Sequence, residues 1–155
     1  MEHQHHYELQ LTWCGNRGTG TQTYNGYDRN HLISSLGKAT IEASSDHAFR
    51  GDRSKYNPEE LLVASLSSCH MLWFLHLCSE AGFIVEKYSD QPRGTMVENR
   101  EGGGRFTEVI LYPKIVFRDE PKINPDDLHD RANKLCFIAN SCNFPVRHEA
   151  SFTVI

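Results

Sequence analysis

The chain has 155 residues, 39% of them hydrophobic and 23% charged, with a formal net charge of −4. That is enough for one domain with a real core, 1–155, and the acidic balance argues against a nucleic-acid partner. Five cysteines, an odd number without regular spacing, make no disulfide framework and point to a reducing compartment, the cytosol.

The opening residues MEHQHHYELQ lack the apolar stretch of a secretory signal, and His3, His5 and His6 there read as a solvated tail. Alternation over 7–13, YELQLTW, predicts a strand with Tyr7, Leu9, Leu11 and Trp13 on one face. CGNRGTG follows, a glycine-rich bend carrying Arg17; without a Lys-Ser/Thr or an opening helix it is a turn, not a phosphate loop. Two more strands are expected at about 21–25 and 38–44, then a charged loop over 46–56.

The stretch from Asn57 to Gly82 organises the rest. Asn57 is an N-cap, Pro58 sits at the first helical position, and Glu59 and Glu60 put negative charge at the positive end of the dipole. Glu60 is also placed for a capping box, and Gly82 is the natural stop. Between Leu61 and Cys78 no residue is charged and apolar side chains fall on nearly every face, which predicts a helix buried all round. Ser65, Ser67, Ser68, His70 and His76 interrupt the run, so it reads as a core helix and not a membrane span. Cover on every side is more than one sheet supplies, and a second copy of the chain would supply it, so a homodimer is expected.

After Gly82, FIVEKYSDQPRGTMVEN reads as a strand broken by Pro92 and Gly94, with a hairpin tip at 101–104. RFTEVILYPKIVFRDE reads as one long strand, in which Pro113 implies an edge or a bulge. A second helix opens at Asn124-Pro125-Asp126-Asp127, with Leu128, Ala132, Leu135 and Ala139 at helical spacing and Cys136 in its last turns. VRHEASFTVI closes the chain as a strand. The order is β-β-β-α-β-β-α-β: an α+β fold of antiparallel strands with two helices.

The chemistry rests on Cys69, mid-way along the first helix, and Cys136. A buried cysteine is usually a small hydrophobe, and one in mid-helix needs a nearby cation to react. Arg17, at its bend, is a candidate. Cys69, His70, His76, Cys78, Cys136, Cys142 and His148 are soft-ligand types, but neighbours such as Cys69 and His70 point to adjacent faces and no C-x-x-C pair exists; no metal is expected. Nine histidines are too scattered to indicate a single pH switch.

The segment Asn57-Pro58-Glu59-Glu60-Leu61 followed by Cys69, with Cys136 on the later helix, resembles the OsmC/Ohr family of osmotically inducible and organic hydroperoxide resistance proteins. The order of elements matches over almost the whole chain. The resemblance implies an intertwined α+β homodimer and a thiol peroxidase acting on small organic hydroperoxides, without a cofactor or membrane attachment. It also implies a dithiol reductant of the lipoyl type. By position, Cys69 resembles the attacking cysteine, Cys136 the resolving one and Glu59 the acid that holds an active-site arginine. Arg17 is the best match for that arginine, with Arg29 a competitor. Phe137 stands where the family commonly has proline, and Cys142 is a second possible resolver. Glu59 and Cys69 are roughly 15 Å apart along a rigid helix, so sharing one arginine requires a bend in the first turn or a Glu59 from a partner subunit. The apolar wall around Cys69 favours a fatty or aromatic hydroperoxide. A non-catalytic dimer that binds small apolar ligands in the same pocket is the alternative.

Overall fold

The computed structural model describes residues 3–155; the first two residues of the stretch read above as carrying no secretory signal lie outside the described residues. The chain divides into two compact units at Leu61 and Leu62.

The first unit is a three-stranded antiparallel sheet, β1 (Gln10–Trp13), β2 (His31–Ser34) and β3 (Ile41–Ala43), with Trp13 opposite His31 and Ile33 opposite Ile41. The strand expected at 21–25 is a turn instead. Asn16 Oδ1 accepts from the Gly18 and Gly20 amides, and Gln22 N–H and Gly26 N–H close successive turns onto Thr19 O and Thr23 O. Side-chain and glycine chemistry there override the β-branched composition. Leu11 is 65% and Trp13 44% exposed, so one face of β1 is apolar and uncovered within the chain.

Helix α1 runs unbroken from Pro58 to Glu80. The capping box forms: Asn57 Oδ1 accepts the Glu60 amide at 2.8 Å, and Glu60 Oε2 accepts the Asn57 amide at 3.1 Å. At the other end Gly82 takes φ 75°, with Phe83 N–H bonding Cys78 O and Gly82 N–H bonding Ser79 O. That is the paired bonding of a left-handed cap. Along α1 only Leu66, His70, Phe74, Leu77 and Cys78 are buried, while Leu72 is 62% exposed. Within one chain, therefore, only one stripe of α1 is covered. By length and composition alone α1 could cross a membrane, and 28% of its apolar window is buried.

The second unit holds two mixed sheets, in strand order β4-β7-β9 and β5-β6-β8. The strands are β4 (Val85–Ser89), β5 (Arg93–Glu98), β6 (Gly104–Leu111), β7 (Lys114–Phe117), β8 (Val146–His148) and β9 (Ser151–Val154). Each of the three expected long strands is thus two, one half in each sheet. The breaks fall at Asp90–Pro92, Tyr112-Pro113 and Glu149-Ala150. Pro113 has no N–H for a ladder and is buried at its crossing. Strands β6 with β8 and β7 with β9 pair in parallel, where antiparallel neighbours were expected.

Asp90 ties the crossings together. Its Oδ1 accepts the Tyr112 amide at 2.7 Å, and its Oδ2 accepts Ser67 Oγ of α1 at 2.5 Å. Helix α2 (Pro125–Leu135) packs Leu128 and Ala132 with Phe74, Leu77 and Cys78 of α1 and Ile115 and Phe117 of β7. A second cluster joins Leu66 to Val109 and Leu111 of β6.

Candidate active site

The sequence of α2 decides how Cys136 is held. Asn124 caps the helix by accepting the Asp126 amide, and Pro125, Asp126 and Asp127 complete a favourable first turn. The helix ends at Leu135. Cys136 is its C-cap in extended backbone (φ −66°, ψ 110°), one step beyond the last turns expected for it. A tight turn then folds back: Asn140 N–H bonds Cys136 O, Asn140 Nδ2 bonds Lys134 O, and the Ala139 amide points at Cys136 Sγ at 3.4 Å. This turn, and not helical packing alone, fixes the thiol.

Cys69 and Cys136 come together across the two helices, within hydrogen-bonding reach of each other. Cys136 is 1% exposed, whereas Cys69 is partly open. Burial first, and then the hydrogen bond with Cys69, push the Cys136 thiol above its ordinary range and keep it protonated. Cys69 is therefore the member of the pair that a solute reaches, and Cys136 is a protonated thiol waiting behind it.

The other cysteines are held elsewhere. Cys142 packs against the Leu66 cluster with its thiol on Ile138 O, and burial raises it. Cys78 is buried in the main core, which pushes its thiol up to about 12.

Arg17 and Arg29 lie in the first unit and are engaged locally. Arg17 donates to Asn25 O and sits 3.8 Å from the Asp28 carboxylate. Arg29 donates to Tyr27 O and Tyr24 O, and its guanidinium lies over both tyrosine rings at 4.1 and 4.4 Å. Glu59, in the first turn of α1, has a buried Oε2 without a hydrogen-bond partner, and no ion pair among the described residues includes it. Because α1 is continuous, the bend in its first turn that the sequence left open is absent.

The residue that sequence reasoning missed is His129. Its Nδ1 lies 2.9 Å from His70 Nε2, and both rings are buried; His148 completes a triangle with ring centres 5.5 and 5.4 Å away. Three of the nine histidines, scattered along the chain, are gathered here. Burial, then the neighbouring imidazoles, lower the His129 pKa to about 3 and that of His70 to about 4, so both rings are neutral at pH 7. The available signal was that His129 shares a helical stripe with Pro125, Ala132 and Cys136.

Comparison with known proteins gives a consistent answer. The sequence model of the OsmC-like protein family matches residues 51–151, a range containing Glu59, Cys69 and Cys136 but neither Arg17 nor Arg29. A structure of an OsmC-like protein of unknown function from Vibrio cholerae superposes with a TM-score of 0.85 at 33% identity, covering 96% of this chain and 100% of that one. An organic hydroperoxide resistance protein from Elizabethkingia anophelis superposes at 0.69 with 20% identity, covering 97% and 100%, a likeness of fold. Among curated sequences, the uncharacterized protein YmaD of Bacillus subtilis is 26% identical over 138 residues, 88% of this chain and 81% of its own length.

Proposed function

The chain belongs to the OsmC-like protein family, and on that premise we propose that it is a thiol peroxidase reducing organic hydroperoxides. Cys69 is its attacking thiol and Cys136 its resolving thiol. The observation that carries the reading is the pair itself: a partly open thiol on α1 beside a buried, protonated thiol at the end of α2.

The Cys69 thiolate attacks the terminal peroxide oxygen. The O–O bond breaks, sulfur is oxidised to sulfenic acid, and the alkoxide takes a proton and leaves as the alcohol. The Cys136 thiol then attacks the sulfenic sulfur, forming the disulfide and releasing water that carries its proton. An external dithiol, of the lipoyl class, exchanges with the disulfide and restores both thiols. Leu72 and Phe137 are exposed beside this pair in the sequence, and Phe137 meets Trp73 edge-on at 5.8 Å. That apolar surface, and the name of the Elizabethkingia neighbour, support an organic peroxide over hydrogen peroxide.

The active unit is a homodimer in this reading. The uncovered stripe of α1, the bare face of β1 and the unpartnered oxygen of Glu59 support it. Assembly of two copies brings an arginine to Glu59, Arg17 first and Arg29 second. Five free cysteines and a dithiol-driven cycle support the cytosol as its compartment.

The test is peroxide consumption by the purified chain with dihydrolipoamide as reductant. Turnover of cumene hydroperoxide should exceed that of hydrogen peroxide, and Cys69→Ser should abolish both. Wild-type turnover in Cys69→Ser, or no turnover with any organic hydroperoxide, removes the proposal. In the second case a non-catalytic dimer would remain.

A further inference from the structure

The thiols are not the only paired side chains joining α1 to α2. His70 and His129 lie end to end in one plane: 2.9 Å between nitrogens, 5.2 Å between ring centres, 2° between planes. The two nitrogens aim at each other and not at a common third point, which is a hydrogen bond and not a chelate. Phe74, one turn beyond His70, lies flat on His129 at 3.9 Å and 10°. His129 is thus gripped at its edge and on its face by consecutive turns of α1.

Pro125, His129 and Ala132 of α2 and its C-cap Cys136, all buried, follow at spacings of four, three and four, one stripe of the helix carried into its cap. His129 and Cys136 are two turns apart on it, roughly 10 Å along the axis. Their partners on α1, His70 and Cys69, are consecutive, about 1.5 Å apart along that axis. Helix α2 therefore meets α1 through the apolar contacts of Leu128 and Ala132 and through two polar pairs, one of imidazoles and one of thiols. Two such pairs fix both rotation and height, which one alone cannot.

A buried imidazole pair is a costly way to join two helices. His70 Nδ1 and His129 Nε2 are buried without partners, each a desolvation penalty that an apolar pair would avoid. Retaining such polar groups in a core is best explained by the register they specify.

We propose that the His70–His129 hydrogen bond is a register pin that presents Cys136 to Cys69, making both histidines positioning residues for disulfide closure. The inference rests on the reading of Cys69 and Cys136 as the redox pair.

The test uses diamide, which oxidises two thiols to a disulfide while being reduced to the hydrazine, so closure is followed without peroxide. The equilibrium of the Cys69–Cys136 disulfide against dithiothreitol then measures how well the thiols are presented. His129→Ala should weaken that equilibrium at least tenfold, and His70→Ala by the same factor. The double variant should be no worse than either, because one loss already removes the pin. His129→Asn, whose amide sits near the Nδ1 position, and His70→Gln, which mimics Nε2, should each recover to within about threefold of wild type. Circular dichroism selects variants that fold; if the alanine variants do not, His129→Gln, which misplaces the amide, replaces them with the same expected loss. A folded His129→Ala or His129→Gln with the wild-type equilibrium overturns the pin. A wild-type chain that forms no Cys69–Cys136 bond overturns the redox pair beneath it. Closure without peroxide turnover overturns the peroxidase and leaves the pin standing.

Discussion

At the scale of single residues, the assignment turns on which thiol meets Cys69. Cys142 lies six positions after Cys136, and a disulfide needs Cα atoms about 4.4–6.8 Å apart. Cys136 is delivered by the end of α2 and a turn in which the Ala139 amide holds its sulfur, while Cys142 faces the Leu66 cluster. Peptide mapping after one equivalent of hydroperoxide should find Cys69 joined to Cys136, and in Cys142→Ser the same link. In Cys136→Ser, oxidised Cys69 should stop at sulfenic acid and pass to sulfinic acid with excess peroxide. A Cys69–Cys142 link in the wild type, with Cys136 free, would transfer the resolving role.

Elements are joined in this fold by few polar side chains, and Asp90 is the most consequential. It sits where β4 leaves one sheet for the other, and it satisfies the Tyr112 amide at the neighbouring crossing. Through Ser67 it also anchors α1. Asp90→Ala leaves that amide without its acceptor and should cost about 2 kcal/mol. Asn57→Ala, which removes the cap and a 3.3 Å bond to the Asp46 carboxylate, should cost about 1 kcal/mol. Denaturant midpoints of the two variants, compared at constant slope, check the order; an Asp90→Ala change smaller than that of Asn57→Ala would refute it.

For the whole molecule, the buried imidazoles link stability to pH. His70 and His129 titrate near 4 and 3 in the fold against an ordinary 6.5, so unfolding takes up protons below 6.5. Stability from this source is complete above pH 6.5 and is lost as pH falls toward those low values. The slope is at most about 1.4 kcal/mol per pH unit for each ring. His148 faces both rings and itself lies 3.4 Å from the Asp130 carboxylate. The urea midpoint should drop between pH 6.5 and 4.5, and by clearly less in a His70→Gln/His129→Asn variant; parallel curves would exclude the link. Assembly is tested at the same scale. Sedimentation equilibrium at micromolar concentration should give a dimer, and a monomer would remove the supply of an arginine to Glu59.

The helices were legible in the sequence because their signals are local. Asn57 with Glu60, Gly82, and Asn124-Pro125 act within a turn of where they stand, and the structure uses each as expected. The OsmC-like family was legible for the same reason, in the segment from Asn57 to Cys69. Pro92 and Pro113 marked the interruptions near Asp90 and Tyr112, but not the change of sheet there, because a chain that changes sheets keeps its alternation and only the partner strand changes. Nor was the parallel pairing of the last strands legible, because it is set across tens of residues. The sequence could nominate Cys69 and Cys136 but not join them. Their meeting, and that of His70 with His129 fifty-nine positions away, exists only once α2 lies across α1, where burial and a shared stripe bring distant side chains face to face.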